Sequence, residues 1–277
     1  MNQDGIESGK VIRHRGDGEL EYQPDDLTIE EPLEIRISGR TVATTMRTPG
    51  HDEELAVGFL LSEGVIRSRS DIVKLSRPDA PRNRDNIVDI ELAEHVRLAQ
   101  TAPQRLGTIT SSCGLCGRDS IEAMRQRFQP ARSAANLRLT VELLLGLPDK
   151  MREHQQDFGR TGGIHAAAIF ARNGTAAVVR EDIGRHNAVD KAIGRAVLDG
   201  SATLNEHILL VSGRASFEIV QKALAAGIPI IASVSAPSAL AVSFCRENNQ
   251  TLIGFLRPPS FNLYSHAERI ILETAKS

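Results

Sequence analysis

Two thiols stand three positions apart in Ser111-Ser112-Cys113-Gly114-Leu115-Cys116-Gly117. A glycine follows each of them, so the backbone can bend there and leave a sulfur accessible. The stretch 108–117 reads as a Ser/Thr/Gly/Cys loop, and 118–128 can form a helix after it. A helix start offers unpaired N–H groups and partial positive charge. Both lower a thiol's pKa and favour the nucleophilic thiolate, and Arg118 adds a full charge. Three chemistries fit. Half of a structural zinc site would need two further ligands, and no second cysteine pair exists to supply them. A thioredoxin-like dithiol would call for a different βαβ setting. A thiolate could accept sulfane sulfur as a persulfide and pass it on, with the second thiol assisting. Spacing alone does not choose among the three. The remaining cysteine, Cys245, lies at helical spacing with Leu240, Ala241 and Phe244 and reads as a core thiol.

Other segments could bind rather than react. Glu181-Asp182-Ile183-Gly184-Arg185-His186-Asn187-Ala188 falls between a strand and a helix. Ligands bind at that end of open α/β sheets, and a helix N-terminus favours anionic groups. The plainer reading is a solvated cap, with Asp182 or Asn187 capping the helix. Ser212-Gly213-Arg214-Ala215-Ser216 repeats the arrangement, and 233–238 does so without a charge. Thr161-Gly162-Gly163-Ile164-His165 opens another strand. Arg257 in Phe255-Leu256-Arg257-Pro258-Pro259-Ser260 could grip a phosphate, with the prolines stiffening the turn; a simple surface turn is the alternative. Neither a P-loop nor a G-x-G-x-x-G fingerprint is present, so ATP hydrolysis and dinucleotide redox chemistry have no support.

These segments need elements to hold them. Residues 1–24 are polar and read as frayed. A hairpin is expected over 32–45 around Ser38-Gly39-Arg40, then a turn at Thr48-Pro49-Gly50, then a helix over 51–63 with Asp52 as N-cap. Val88, Ile90 and Leu92 alternate with acids as in a half-buried strand. Thr140 can cap a helix to about Leu147, with a second helical stretch after Pro148. Further on, strands are expected over 164–171, 175–180, 207–211, 228–234 and 251–256, and helices over 186–198, 215–226, 237–247 and 265–274. Asn173-Gly174 marks a tight turn, which makes the sheet mixed. The fold class is α/β: a mixed sheet with helices on its faces, plus a smaller N-terminal α+β region. The expected division is 1–24, a frayed terminus; 25–107, the smaller region; 108–138, the cysteine loop, helix and linker; and 139–277, the main α/β domain.

Bulk composition narrows the function classes. The chain has 277 residues, 41% hydrophobic and 25% charged, which allows a sizeable core. A net charge of −2 and the absence of Trp argue against a nucleic-acid partner. Residues 1–10 lack an apolar signal core, and every apolar run is broken before it reaches about 18 residues. Together with an odd cysteine count, this gives the expectation of a soluble, cytoplasmic protein with no membrane partner.

Several stretches together resemble the formate dehydrogenase accessory sulfurtransferase family (FdhD). They are the run from Thr48-Pro49-Gly50-His51-Asp52-Glu53-Glu54 to Leu60, the Ser-Cys-Gly-Leu-Cys-Gly loop, Thr161-Gly162-Gly163-Ile164-His165-Ala166-Ala167, the run from Glu181 to Lys191, Ser212-Gly213-Arg214, and Asn262-Leu263-Tyr264. They span roughly residues 30 to 270 in order; each alone is weak and the set is highly specific.

The resemblance implies a sulfurtransferase. Such a protein takes sulfur from a cysteine desulfurase as a persulfide. It donates that sulfur to the molybdenum bis(molybdopterin guanine dinucleotide) cofactor, which formate dehydrogenase needs for activity. Carried over, Cys113 is the persulfide carrier and Cys116 its helper. Phe255, Leu256, Arg257, Pro258, Pro259 and Ser260 contact the guanine part of the cofactor, with Arg214 near a phosphate; guanine nucleotides would bind in its place. The resemblance also implies a cytidine deaminase-like main domain and a homodimer. It does not imply deaminase chemistry: no Glu stands two positions after His165, and Ser112 rather than Pro precedes Cys113. The competing classes are a module that only holds the cofactor, with structural or metal-bound cysteines, and a zinc hydrolase.

Overall fold

The computed structural model describes residues 5–16, 18–78, 86–96, 128–132, 137–201 and 203–272, and the backbone of 107–108. Cys113, Cys116 and all but the last residue of the helix expected over 118–128 fall outside the described residues.

The N-terminus pairs where its composition suggests fraying. β1 (Ile6–His14) and β2 (Leu20–Thr28) run antiparallel from Ile6↔Thr28 to His14↔Leu20. Polar cross-strand pairs replace apolar content: Arg13 stands opposite Glu21, and the Ser8 hydroxyl donates to Asp26 at 2.7 Å. The base is tied down by Ile29 N–H to the Gly5 carbonyl (2.8 Å) and by Arg160 to Asp26 (2.9 Å).

β3 (Glu31–Ile37) and β4 (Arg40–Arg47) form the expected hairpin, with Ser38 and Gly39 both at positive φ (47° and 79°), as a tight two-residue turn requires. α1 (Asp52–Ser62) follows. β5 (Ile72–Ser76), β6 (Ile87–Leu92) and β7 (Gly107–Thr108) complete a five-stranded sheet in the order β5-β6-β3-β4-β7. β5 was not anticipated; its Val-Lys-Leu core is too short and too exposed to show period-two alternation.

The second half begins with β8 (Leu139–Thr140), α2 (Val141–Arg152) and α3 (Gln156–Thr161). Then come β9 (His165–Phe170), β10 (Ala176–Asp182), α4 (Arg185–Leu198), β11 (Ile208–Val211), α5 (Phe217–Ala225), β12 (Ile230–Ser233), α6 (Ala239–Glu247), β13 (Thr251–Arg257), β14 (Ser260–Ser265) and β15 (Ile270–Ile271). Six of these strands make a mixed sheet ordered β10-β9-β11-β12-β13-β14, with β11, β12 and β13 parallel to one another. Alternation divides its residues between two cores. Ala167, Ile169, Leu209, Val211, Ile231 and Leu252 join the core that also holds α1, α4, α5, α6 and the inner faces of β3 and β6. Ala166, Ala168, Phe170, Leu210, Ala232 and Ile253 face α2 on the other side. The result is the expected α/β protein: a mixed sheet with helices on both faces, joined to a smaller N-terminal sheet.

Three local expectations need correction. Asp52 is not the cap of α1; His51, in the left-handed region (φ 58°), holds that position without a side-chain capping bond to the backbone, and Asp52 is buried against Arg47 at 2.8 Å. Thr140 does cap α2, accepting from Leu143 N–H at 3.2 Å, but the helix runs through Pro148 rather than stopping before it. Of the closing helix expected over 265–274, the described residues 265–272 form the end of β14, a single 3-10 turn at Ala267–Arg269 and β15. β14 instead extends the sheet, and buried Arg269 donates to Thr251 (3.1 Å) and Asn249 (2.7 Å). Those tertiary bonds outweigh the weak helical preference of a short segment.

One contact joins the two halves more tightly than any side chain could. α1 and α4 cross backbone to backbone at two glycines. A Cβ on Gly58 would lie 1.9 Å from the Asp190 carbonyl oxygen, and one on Gly194 would lie 1.8 Å from that of Glu54. Glu54 adds an ion pair with Arg180 of β10. Burial works against the Glu54 carboxylate, but the bonds from Arg180 win and hold its pKa at about 2. Gly58→Ala and Gly194→Ala should each lower stability by about 3 kcal/mol, read as a shifted urea midpoint, because no neighbouring backbone can give way.

Candidate functional site

The loops that the sequence singled out meet along one edge of the main sheet. Asp182 ends β10 opposite His165 at the start of β9; Ser212 follows β11, Ser233 ends β12, and Arg257 ends β13. This is the carboxyl edge of the parallel strands, where open α/β sheets take their ligands.

At its foundation is a buried ion pair. Asp182, fully buried, lies 2.7 Å from Lys191 Nζ. Its oxygens also accept from Gly184 N–H (2.8 Å), Asn187 Nδ2 (3.0 Å) and Thr48 N–H (3.2 Å). Lys191 in turn donates to the Thr48 carbonyl at 2.8 Å. Asp182 therefore does not cap α4; Gly184 holds the N-cap position, and the aspartate locks the loop before it. Asn187 also donates to the Met46 carbonyl at 2.7 Å, so the far end of β4 is part of the same assembly.

Above that foundation stand two imidazoles and an arginine. Ser212 Oγ accepts from Ala166 N–H (2.9 Å) and lies 3.4 Å from His165 Nδ1. The His165 ring and the Arg185 side chain converge over Gly213, where an added Cβ would lie 3.3 Å from His165 Nδ1 and 3.5 Å from Arg185 Cδ. Burial lowers the pKa of His165, and the Arg185 charge lowers it further. His186 Nε2 lies 3.3 Å from Ser216 Oγ and 3.4 Å from Glu218. The carboxylate favours a charged ring, but burial, Lys222 and Arg185 together depress its pKa to about 3. Both rings are neutral at physiological pH and can accept or donate without gaining charge.

The remaining predicted residues are spread along the same edge. Arg214 is exposed beside Gly213. Phe255, at φ 51°, and Arg257 are exposed, and Arg257 Nε donates to the Val234 carbonyl at 2.9 Å. Pro258 and Pro259 form the exposed β13–β14 turn, with a cis bond between them, and exposed Ser260 opens β14. Leu256 departs from expectation. Its side chain is fully buried in the core beneath the sheet and cannot touch a ligand. Alternation along β13 sends it inward while its neighbours point out. Cys245 is a buried core thiol, as its spacing suggested, and burial pushes its pKa up.

The cysteine loop can be placed only by its described flanks. Thr108 pairs with Thr44 of β4, and Thr45 Oγ1 reaches Asn187 Oδ1 at 3.4 Å. At the other end, Ala131 N–H donates to the Asn248 carbonyl at 2.9 Å, just past α6. The last described strand before Cys113, β7, thus pairs with β4, which is itself bonded to the first turn of α4.

Sequence reasoning missed a second buried pair, Asp190–Lys222 at 2.7 Å, joined by Ser62 Oγ at 2.9 Å from Asp190. Burial raises the Asp190 pKa to about 6, against the pull of Lys222. The signal was present: Asp190 and Lys191 interrupt the apolar stripe of α4.

These features define a mixed-sheet α/β protein with imidazoles and arginines gathered at one sheet edge. The sequence profile of the FdhD/NarQ family matches residues 28–271. The chain belongs to that family. The sulfur carrier protein FdhD of Streptomyces coelicolor is 49% identical over 275 residues, 97% of each chain. That of Mycobacterium tuberculosis is 47% identical over 268 residues, covering 94% of this chain and 96% of its own. That of Sulfurisphaera tokodaii is 42% identical over 265 residues, covering 95% and 98%. A crystal structure described as a formate dehydrogenase accessory protein from Desulfotalea psychrophila superposes with a TM-score of 0.75 at 23% identity, over 97% of this chain and all of that one; it shows the fold. No helix among the described residues is long and apolar enough to cross a membrane.

Two outcomes are expected. Lys191→Met leaves Asp182 buried without its cation and should cost about 3–5 kcal/mol in denaturant unfolding. The second concerns His186, whose folded pKa of about 3 lies below its ordinary value. Between pH ~6.5 and the folded value the unfolded chain binds a proton that the folded one refuses, so stability falls as pH falls through that window. His186→Gln should remove about 2 kcal/mol of the loss between pH 6.5 and 4.5; an unchanged pH profile would refute the buried neutral ring.

Proposed function

We propose that the chain carries sulfur for the maturation of formate dehydrogenase, with Cys113 as the carrier. The observation that supports it most is the near full-length similarity to sulfur carrier proteins combined with the Cys113-Gly114-Leu115-Cys116 loop in this sequence. The cysteine desulfurase as donor, the molybdenum bis(molybdopterin guanine dinucleotide) cofactor as acceptor, a homodimer and a cytoplasmic setting belong to the same reading.

The chemistry runs in two balanced steps. The Cys113 thiolate attacks the terminal sulfur of the donor's persulfide; the donor's S–S bond breaks, a new one forms on Cys113, and the donor thiolate leaves. No net oxidation occurs. Cys116 then attacks Cys113 Sγ, the terminal sulfur departs with its bonding electrons as hydrosulfide towards the metal, and a Cys113–Cys116 disulfide remains. A cellular thiol reductant returns two electrons to reopen it. The cofactor's guanine arms lie along the sheet edge, with Arg214, Arg257 and Phe255 in reach; Leu256 supports the segment from inside. Binding of a charged cofactor there favours neutral imidazoles over fixed charges that would resist its release.

Intact-protein mass spectrometry after incubation with a cysteine desulfurase and cysteine tests the reading. The wild type should gain one sulfur atom, and Cys113→Ala should lose that gain and all activation of formate dehydrogenase. Cys116→Ala should still load but deliver poorly. Stoichiometric zinc with no added sulfur would instead favour a module that only holds the cofactor.

A further inference from the structure

Among the described residues, β1 and β2 pair with each other and with no other strand. The side-chain bonds that tie this arm to the body lie at its base. Asp26 accepts from Arg160 (2.9 Å), and the Thr28 hydroxyl donates to that of Thr161 (3.1 Å), on the segment that leads to His165. Residues opposite one another share a face of the ribbon. On one face Leu27 closes over Gly9, where an added Cβ would lie 2.9 Å from Leu27 Cδ1, and Arg13 stands opposite Glu21. The other face is open towards the turn. There Ile12 stands opposite Tyr22, and His14 opposite Leu20. Ile12 is 55% exposed, Leu20 65% and Tyr22 79%. Three large apolar side chains thus share one wet face of a two-stranded ribbon, which by itself is marginally stable in water. Tyrosine combines large contact area with a polar tip and is enriched where proteins meet.

The charges of the arm indicate what covers that face. β2 carries Glu21, Asp25 and Asp26 and no base, whereas β1 carries Lys10, Arg13 and His14 against one acid, Glu7. A second arm laid face to face is related by a two-fold axis running either across the strands or along them. The first sets β1 on β1 and β2 on β2, like charge on like. The second sets each β1 on the other copy's β2, so opposite charges meet on both sides. It also stacks Ile12 of each copy on Tyr22 of the other, and Leu20 on His14. We propose that the Ile12–Tyr22 face of the β1–β2 arm packs on the same face of a second copy of this chain, about a two-fold axis along the arm. The inference rests on the homodimer in the reading above, which assigns that dimer no surface. Each arm leaves its body beside Thr161, so this axis sets the two functional sheet edges at one end of the dimer. Strands of nine residues give a face about 30 Å long and about 10 Å wide, so two arms hide about 600 Å² in all. An area of that size belongs to weak, reversible contacts with micromolar dissociation constants.

Sedimentation velocity of the full chain from about 1 to about 100 µM tests the contact. The wild type should form a dimer within that range. Tyr22→Glu and Leu20→Ser should each raise the dissociation constant about tenfold or more, as truncation of a central apolar anchor does. Both side chains are exposed in the single chain, so the thermal midpoints of the dilute variants should match that of the wild type. Val73→Glu alters another exposed apolar residue, on β5 of the smaller sheet, and should leave the dimer intact. A dimer that survives both Tyr22→Glu and Leu20→Ser, or that Val73→Glu dissolves as readily, overturns the arm contact and leaves the homodimer standing. A wild type that stays monomeric at about 100 µM overturns the homodimer and the arm contact together.

Discussion

A single carboxylate closed off from water holds the functional edge together. Asp182 takes a lysine ammonium and three N–H donors from β4's corner, the β10–α4 loop and α4 itself. Desolvating such a pair costs several kcal/mol, so it need not add net stability over an apolar replacement. What it does is choose one arrangement. Every polar atom of the pair has a partner only when Thr48, Gly184, Asn187 and Lys191 are all in place, and any slipped register would strand a charge in the interior. The loop carrying Arg185 and His186 therefore has one position relative to the sheet.

The same assembly gives β4 two roles. Its edge pairs with β7, the last described strand before the cysteine loop, and its end is bonded to α4 through Asn187. The strand that leads towards the cysteines and the sheet edge that carries His165 and Arg185 are thereby tied to one strand, β4. Precise positioning of a transferring group depends on such supports, because a misplacement of about 1 Å can cost two orders of magnitude in rate. The backbone crossing of α1 and α4 reinforces this from beneath, since helices in contact at Gly58 and Gly194 have no side chains between them to rearrange.

Much of the main sheet was legible in the sequence because its strands and helices alternate with clear punctuation: Asn173-Gly174 at a turn, Gly227 after α5, and an apolar stripe along α4. What resisted reading were features decided by distant partners. β1 and β2 are polar and gain their stability from cross-strand pairs that composition does not reveal. Residues 265–272 look helical until Arg269 finds Thr251 and Asn249. Asp52 has the chemistry of a cap, but buried Arg47 claims it. At the candidate site, the segments were visible and their convergence on one edge followed from the βα pattern. The neutral state of His186 was not, because it comes from burial and from Lys222, 36 positions away in the chain and on another helix. The burial of Leu256 was hidden for a similar reason: the apolar run gives no clue to which residue of β13 faces down.

That inward-facing leucine has an implication for genetics. On the proposed reading, exposed Phe255 and Arg257 face a ligand while the residue between them anchors the fold, so two kinds of lesion mix within three adjacent codons. Loss of Leu256 would reduce the amount of protein in the cell, and loss of Phe255 or Arg257 would leave the amount intact. A phenotype mapped to this turn therefore has no meaning for recognition until abundance has been measured beside it.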